Sequence, residues 1–392
     1  MANLLIAQGG APTAVINASL AGVILEAKVQ GFKGKVLAAR YGTKGLLKED
    51  FIDLTNLSEK EIEALKYSPG SAIGTSRHPL EKEDYEKIVA ILKKHEIRYL
   101  LFNGGNGTMD TLGKIYQHAQ GYEIYTGGIP KTIDNDIAIT DHAPGYASNA
   151  RYMASIVNDC NQDIKGMPIH VSIIETMGRN TGWLAAASAL ARRKESDAPH
   201  LIYLPERPFN QQKFLKDVKN LFDKYGGVVV VASEGLKYAD GTPIVEPMLT
   251  VGRAVYYGDV SSHLANLVLK ELGIKARSEK PGIIGRCASA LVSDIDREEA
   301  ILMGRWATKT VLLEKNGYMA GIKRISNNPY QIEPILIPIQ EVMLYERTLP
   351  DHFINAEGNG VTPAFEQWLR PLIGNLPEHI NLLDREEEDE TL

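Results

Sequence analysis

Short apolar segments that end in glycine or a polar turn, each followed by a helix-like pattern, recur along this chain of 392 residues. The runs NLLIA, RYLLF and VVVVA carry apolar and β-branched residues without alternation, which is typical of buried parallel strands. Helix-like segments lie between them: Tyr85, Ile88, Val89 and Leu92 follow the i, i+3, i+4, i+7 spacing of one helical face. This alternation predicts an α/β protein with mainly parallel sheets.

The bulk composition excludes several classes of protein. The formal net charge is −6, so the chain has no basic coat for nucleic acid, and an anionic ligand needs a local cluster of cations. Two cysteines, Cys160 and Cys287, have no paired spacing, which argues against a disulfide framework or a zinc site and favours a reducing cytoplasm. We find no signal peptide and no apolar run of about 20 residues, so we expect no membrane association.

Five polar segments follow apolar runs: QGGAP, NGGNGT, PKTIDND, MGRN and SEG. Ligands of parallel α/β folds bind at the carboxyl ends of strands, where such segments lie. In GGNGT, glycines before a helix allow a phosphate to approach the exposed amides, and Thr108 is available as N-cap or hydroxyl donor. A tight strand–helix turn with a capping threonine is the alternative for this segment alone.

PKTIDND places a cation, a hydroxyl and two carboxylates within six residues: Lys131, Thr132, Asp134 and Asp136. A carboxylate beside a hydroxyl can act as general base, and one beside a phosphate can hold Mg²⁺. A neighbouring lysine can neutralise charge on a transferring phosphoryl group. Taken alone, an Asp/Asn-rich surface turn would also account for this segment.

Later segments supply groups for a second phosphate and for hydroxyls. Arg179 follows an apolar strand and can hold a phosphate through two hydrogen bonds, and Glu234 at another strand end can accept hydrogen bonds from a sugar. Lys275, Arg277, Lys280 and Arg286 form a local basic patch within twelve residues, although solvated surface charges are the simpler alternative. Together these groups indicate phosphoryl transfer to a phosphorylated sugar.

In sequence order, GGAPTAVINAS, GGNGT, PKTIDND, MGRNTGW, SEG and PGIIGR resemble the phosphofructokinase family over roughly residues 4–310. The resemblance implies transfer from ATP or pyrophosphate, with Mg²⁺, to the 1-hydroxyl of fructose 6-phosphate, giving fructose 1,6-bisphosphate in glycolysis. It implies two Rossmann-like lobes of mainly parallel sheets sandwiched by helices, with the active site in the cleft between them. It also implies a cytoplasmic homodimer or homotetramer with shared active sites.

The resemblance further assigns ligands to the lobes. Residues 1–147 and about 285–330 are expected to bind the phosphoryl donor, and residues 148–284 and about 331–392 to bind fructose 6-phosphate. Residues 311–392 carry few motifs; we expect a short helix around Phe365–Leu372, a lobe extension or oligomer contact, and a solvated acidic tail, DREEEDETL.

The same resemblance assigns roles to individual residues. Asp134 is the expected base that deprotonates the sugar hydroxyl, with Lys131, Thr132 and Asp136 beside it. The residues expected on the donor side are Gly10, Arg77, Gly105, Asn106, Gly107 and Thr108. The residues expected to contact fructose 6-phosphate are Thr132, Met177, Gly178, Arg179, Glu234, Arg286 at the 6-phosphate, and Arg277 from across a subunit interface.

Three positions bear on the metal and the donor. Asn106 occupies the place where the family usually has an aspartate associated with Mg²⁺ and is our candidate metal ligand. Gly107 replaces the aspartate usual in pyrophosphate users and leaves room for the α-phosphate of ATP, whereas Lys131 is usual in pyrophosphate users. We expect ATP to be preferred, because a carboxylate against an α-phosphate is prohibitive while a lysine serves either donor. Pyrophosphate dependence is the alternative.

Two other functions fit parts of the sequence. An NAD or lipid kinase shares GGNGT but has no use for PKTIDND or the late arginines. A non-catalytic regulatory homologue that binds sugar phosphate would account for Asn106, but Asp134, Arg179 and Arg286 argue against it.

Overall fold

The computed structural model describes residues 1–251 and 254–384, which divide into two compact units. Unit 1 contains Met1–Tyr152, Ile283–Thr348 and Gln367–Ile373, and unit 2 contains Met153–Gly282, Leu349–Glu366 and the chain from residue 374 onward. Most of the expected acidic tail lies outside the described residues. No helix in the described ranges has the length and apolar character needed to cross a membrane.

Strands and helices alternate along most of the chain, as the apolar pattern predicts. The strands are β1 (Asn3–Gln8), β2 (Val36–Ala39), β3 (Phe51–Asp53), β4 (Ile97–Gly104), β5 (Tyr125–Pro130), β6 (Val171–Thr176), β7 (Leu201–Tyr203), β8 (Val228–Ser233), β9 (Pro247–Val251), β10 (Ala254–Tyr257), β11 (Ala276–Glu279), β12 (Tyr318–Asn327) and β13 (Tyr330–Pro338). The helices are α1 (Ile16–Val29), α2 (Thr43–Leu47), α3 (Glu59–Tyr67), α4 (Lys82–Lys94), α5 (Asn106–His118), α6 (Tyr146–Gly166), α7 (Trp183–Ala187), α8 (Gln211–Tyr225), α9 (Val260–Leu272), α10 (Gly282–Arg286), α11 (Asp294–Leu312) and α12 (Pro363–Ile373).

Unit 1 is built on a seven-stranded sheet with the order β13-β12-β5-β4-β1-β2-β3. The central strands are parallel, and only β3 and β13 at the two edges run antiparallel to their neighbours. Leu4 and Ile6 of β1 pack in one buried cluster with residues of α1 and α11, while Leu5 and Ala7 pack in another with residues of α4 and α5. Burial of both faces explains why the strand carries an unbroken apolar run.

Unit 2 contains a four-stranded parallel sheet with the order β11-β6-β8-β7. Val228 and Val230 of β8 pack with Phe214 of α8 and Val268 of α9 in one buried cluster. The VVVVA run therefore forms a fully buried central strand, as predicted. β9 and β10 form a separate antiparallel pair in this unit.

The α/β architecture in two lobes is confirmed, with differences in detail. The amphipathic helix predicted over residues 85–92 is α4, and the one predicted near Phe365–Leu372 is α12. Residues from about 331 onward were expected in the second lobe, but β13 pairs along its length with β12 and therefore belongs to unit 1. Which ligand each unit binds stays a prediction.

Candidate active site

The glycine segment after β1 forms a tight loop beside Arg77. Gly10 has a φ of +75°, a left-handed conformation that glycine adopts without strain. Its N–H donates to the carbonyl of Ser76 at 3.0 Å, and Thr75 Oγ1 donates to the carbonyl of Gly10 at 2.7 Å. These two hydrogen bonds fix Thr75 and Ser76 against the glycine loop, so the exposed Arg77, the next residue, lies beside that loop.

GGNGT joins β4 to α5, as the phosphate-loop interpretation requires. Gly105 is the N-cap of α5, and Asn106, Gly107 and Thr108 form its first turn. Thr108 is buried in the first turn of the helix, which excludes the N-cap alternative and leaves its role as hydroxyl donor a prediction. N–H groups at the start of an α-helix attract anions, and the exposed Gly107 leaves this end of α5 open, although the Thr108 N–H already donates to the carbonyl of Gly105 at 2.9 Å.

The acidic loop, residues 131–136, is held by its own side chains. Thr132 Oγ1 donates to Asp136 Oδ1 at 3.0 Å and accepts a hydrogen bond from the Asp134 N–H, also at 3.0 Å. Lys131 Nζ donates to the carbonyl of Ala11 at 2.6 Å. The lysine therefore joins the acidic loop to the glycine loop within unit 1.

Asn106 is also joined to the acidic loop. Its Nδ2 donates to Asp136 Oδ2 at 2.8 Å, while its Oδ1 is buried and has no hydrogen-bond partner among the described residues. No group of three or more His, Cys, Asp or Glu side chains placed to hold a metal occurs in residues 1–251 and 254–384. The carboxylates of Asp134 and Asp136 are the hard oxygen donors that Mg²⁺ prefers. The amide oxygen of Asn106 completes this donor set once the amide turns, because its Nδ2 now faces Asp136.

Charged side chains surround the buried Lys131. Burial lowers the pKa of Lys131 to about 8; Asp134 and Asp136 act to raise this pKa, and Arg77 and Arg286 lower it further. All four charged groups therefore lie within electrostatic range of Nζ. Charged residues from three separate segments of unit 1 therefore converge on one site.

This shift predicts a high-pH limit on turnover. The ammonium form of Lys131 predominates below about pH 8 and is lost above it, so we expect the rate to fall as pH rises through that value. The measurement is the pH dependence of kcat/KM for the donor. Lys131→Arg is the control: its profile should stay flat there, whatever its absolute rate, because a guanidinium keeps its proton. A flat wild-type profile would contradict the prediction.

A second group of predicted residues comes together in unit 2, where β6 and β8 end. Parallel pairing of Thr176 with Ser233 places the two strand ends side by side. Gly178, with a φ of +111°, donates its N–H to Glu234 Oε1 at 3.3 Å, and its carbonyl accepts from Ser233 Oγ at 2.6 Å. Met177 and Arg179 flank this glycine, so the MGRN and SEG segments form one polar surface.

The electrostatics of this surface depend on residues that the sequence analysis missed. Burial raises the pKa of Glu234, with Arg179 acting in the opposite direction. Lys280, assigned to the basic patch, instead lies 3.1 Å from Glu175 Oε1 and contacts Asp259. Both carboxylates lie far from Lys280 in sequence and carried no motif that would have identified them.

Two arginines assigned to fructose 6-phosphate have different surroundings. Arg277 is exposed on β11, where it pairs with Ser172 near the start of β6, so the structure does not bring it to Gly178 and Glu234 at the other end. Arg286 ends α10 and belongs to unit 1, within electrostatic range of Lys131.

Two further residues support the acidic loop. Asn135 is buried with a φ of +52°, and its Oδ1 accepts from the Ala143 N–H at 3.2 Å. Asparagine tolerates this left-handed conformation better than most residues, so the asparagine of IDND fits the buried bend of the acidic loop as well as a surface turn. The N–H of Arg347 donates to the carbonyl of Asp136 at 2.7 Å, a contact that no sequence motif indicates.

A glycine loop, a helix N-terminus, a buried lysine and paired carboxylates are the parts of an enzyme that transfers a phosphoryl group to a hydroxyl. Residues 3–311 match the family model described as Phosphofructokinase. The chain belongs to the phosphofructokinase family.

Individual relatives match over nearly the whole chain. A pyrophosphate–fructose 6-phosphate 1-phosphotransferase of Xanthomonas campestris pv. campestris (strain B100) is 40% identical over 384 residues, covering 95% of this chain and 91% of that protein. A sulfofructose kinase of Alkalicoccus urumqiensis is 34% identical, covering 94% of both chains. The crystal structure of a pyrophosphate-dependent phosphofructokinase from Marinobacter aquaeolei matches with a TM-score of 0.87 and 38% identity, covering 96% of this chain and 93% of that chain.

Proposed function

We propose that the protein transfers a phosphoryl group from pyrophosphate to the 1-hydroxyl of fructose 6-phosphate, releasing phosphate and fructose 1,6-bisphosphate. The observation that carries this proposal is Lys131, which is 4% exposed and whose ammonium lies between the glycine loop and the two carboxylates of the acidic loop. Pyrophosphate offers a protein only its charge and phosphate oxygens, so a fixed buried cation contributes a large share of its binding.

The donor expected from the sequence was ATP, and the comparisons support the alternative. The relatives from Xanthomonas and Marinobacter carry pyrophosphate in their names. Gly107 is exposed, and a Cβ placed there would meet nothing within 4 Å. Gly107 therefore leaves room for the α-phosphate of ATP but makes no contact with it. Room alone does not favour ATP over pyrophosphate.

The proposed reaction follows from the acidic loop. Asp134 takes the proton of the sugar 1-hydroxyl as the oxygen attacks the nearer phosphorus; the bridging P–O bond breaks and phosphate leaves with its electron pair. The hydrogen bond from Thr132 Oγ1 holds the Asp136 carboxylate, and the hydrogen bond from the Asp134 N–H to Thr132 Oγ1 fixes the backbone that carries the Asp134 carboxylate. Lys131 and Arg77 stabilise the charge on the transferring group and the leaving phosphate.

We further propose that Mg²⁺ binds with the donor and that Asp136 and Asn106 would hold it, once the amide of Asn106 turns so that Oδ1 rather than Nδ2 faces Asp136. When bound, the ion neutralises charge on the phosphates. In unit 2, the surface formed by Gly178, Arg179 and Glu234 is proposed to bind the hydroxyls of fructose 6-phosphate. Arg286 is proposed to bind its 6-phosphate, and Arg277 to act in a cytoplasmic homo-oligomer.

A four-way assay tests the proposal. Purified protein with Mg²⁺ is offered pyrophosphate or ATP as donor, and fructose 6-phosphate or sulfofructose as acceptor, and kcat/KM is measured for each pair. We expect the highest value for pyrophosphate with fructose 6-phosphate. Preference for ATP would overturn the donor assignment, and preference for sulfofructose would overturn the acceptor. Sugar-phosphate binding without turnover of either donor would indicate a regulatory homologue.

Gly107→Asp tests the remaining case for ATP. The open position predicts an unchanged fold, while a carboxylate against an α-phosphate should lower the residual kcat/KM for ATP about tenfold or more. The rate with pyrophosphate should change little. Gly166→Asp is the control, because Gly166 is also exposed with no atom near its Cβ position, yet lies at the end of α6. Equal loss with both donors would contradict the steric argument.

A further inference from the structure

The acidic loop is closed by a second stretch of chain, residues 141–145, which we call the return segment. The Thr132 N–H donates to the carbonyl of Pro144 at 3.2 Å, and Asn135 Oδ1 accepts from the Ala143 N–H at 3.2 Å. The conformation of the acidic loop at Thr132 and at Asn135 therefore depends on the position of the return segment.

His142 anchors the return segment inside unit 1. The side chain is fully buried, with Nδ1 2.7 Å from Asp141 Oδ2 and Nε2 2.5 Å from Glu299 Oε2. Carboxylates accept hydrogen bonds, so the ring donates from both nitrogens and is an imidazolium. The two carboxylates raise the pKa of His142 to about 9 against the opposing effect of burial, so the charged form predominates at neutral pH.

The charges around the imidazolium are themselves fixed by neighbouring elements. Arg324 of β12 binds Asp141 Oδ2 at 2.9 Å, and Trp368 Nε1 donates to Asp141 Oδ1 at 3.1 Å. Tyr330 of β13 donates its hydroxyl to Glu299 Oε1 at 2.5 Å. Every partner of His142 is therefore held from a second element, which leaves little freedom for the ring.

Helix α11 holds the return segment at a second point. Asp296, one turn before Glu299, accepts from the Gly145 N–H at 2.8 Å and from the Ser148 N–H at 2.9 Å. One helix face thus binds His142 through Glu299 and the residue after Pro144 through Asp296. Helix α11 therefore fixes the return segment at two points, and the return segment in turn is hydrogen-bonded to the acidic loop.

We propose that His142, as an imidazolium shared by Asp141 and Glu299, is a positioning residue for the acidic loop, fixing Thr132, Asp134 and Asp136 through the return segment. The inference rests on the proposed function for its catalytic consequence. The structural part of the inference, that His142 keeps residues 131–145 in a fixed conformation, does not depend on the proposed function. A small displacement of a base or of the reacting groups lowers the rate steeply, which is how a residue without substrate contact affects turnover.

Glu299→Gln is the informative variant. Glutamine keeps an acceptor for His142 and a polar group for Tyr330, so the fold is retained, but one of the two charges that favour the imidazolium is lost. Because those charges raise the pKa of His142, its proton is now lost at lower pH. Hydrogen exchange of residues 131–145 should be unchanged from wild type near pH 6 and about tenfold faster near pH 8. Wild type should keep its protection until pH rises through about 9.

His142→Gln and Glu26→Gln complete the design. His142→Gln should lower kcat about 10²-fold at all pH values with little change in KM, because the loop is displaced while the binding surfaces remain. Glu26→Gln removes a buried carboxylate of α1 that pairs, at 2.9 Å, with Arg305 of α11, the helix that also carries Glu299. This variant should change neither loop exchange nor kcat. The return segment is not involved in that pair.

The outcomes separate the two proposals. Identical loop exchange in wild type and Glu299→Gln across this pH range would overturn the positioning role, whatever the enzyme's substrates are. Faster loop exchange with no turnover of any donor–acceptor pair by wild type would keep the anchoring role and overturn the proposed function. If His142→Gln does not fold, the exchange measured on Glu299→Gln still decides the question.

Discussion

Replacing Asp134 by alanine should lower turnover by about 10²–10⁴-fold, because the sugar hydroxyl loses the group that takes its proton. Asp134 lies between Lys131 and Asp136 in a loop whose backbone is fixed by Thr132, so its removal leaves the other charges in place. We therefore expect the loss to appear in kcat, with the KM for fructose 6-phosphate changing little. The same loss is expected with either donor, since proton removal from the acceptor does not depend on what donates the phosphoryl group.

Two further variants separate the loss of this carboxylate from the loss of side-chain volume and from the loss of any buried carboxylate in unit 1. Asp134→Asn keeps the shape of the side chain and should be nearly as inactive as the alanine variant. Asp110→Asn is the matched control, because Asp110 is a buried aspartate of α5 that pairs with Lys114 at 2.8 Å, outside the acidic loop. Circular dichroism and single-turnover rates of all three would be compared. A loss of less than about tenfold in both Asp134 variants would exclude it as the base.

Much of the fold was predictable because burial leaves a direct mark on the sequence. β1 is apolar on both faces since helices cover both, β8 is buried along its whole length, and α4 shows its buried stripe through Tyr85 and Leu92. The edge strand β13 carries Gln331 and Glu333 in its first half and a proline at each end of its apolar second half, so it gave no comparable signal. Its pairing with β12 is a tertiary fact, which explains why residues 331–348 were expected in the other lobe.

The candidate site was predictable to the extent that its parts follow strands. Parallel strands bring their carboxyl ends to one edge, so the segments containing Gly10, Gly105 and Lys131 meet in unit 1. Contacts between distant segments left no such mark, as with Lys280 and Glu175, or Arg347 and Asp136. The comparisons favour pyrophosphate over the ATP that the space at Gly107 led us to expect. The proposed pyrophosphate dependence gives more weight to the charge of Lys131, which can bind a donor that has no adenosine.

Replacing Lys131 by methionine measures that charge directly. Methionine keeps most of the apolar stem and removes the ammonium that binds the carbonyl of Ala11 and faces both carboxylates. We expect kcat/KM for pyrophosphate to fall by about 10²–10³-fold, the effect of removing one preorganised charge-stabilising donor. Any residual activity with ATP should fall less, because contacts to the nucleoside still contribute to binding. The donor preference should therefore move toward ATP.

Lys114→Met is the control, since Lys114 also pairs with an aspartate in unit 1 but lies on α5, away from the acidic loop. Equal losses with both donors in Lys131→Met would show that the lysine serves the transferring phosphoryl group alone and takes no part in donor choice. Combining Lys131→Met with Gly107→Asp then gives a sharper result. If charge and space act independently, the free-energy changes of the two substitutions add, and the double variant uses neither donor well. If Lys131 alone determines the donor, Gly107→Asp adds nothing further to the loss with ATP.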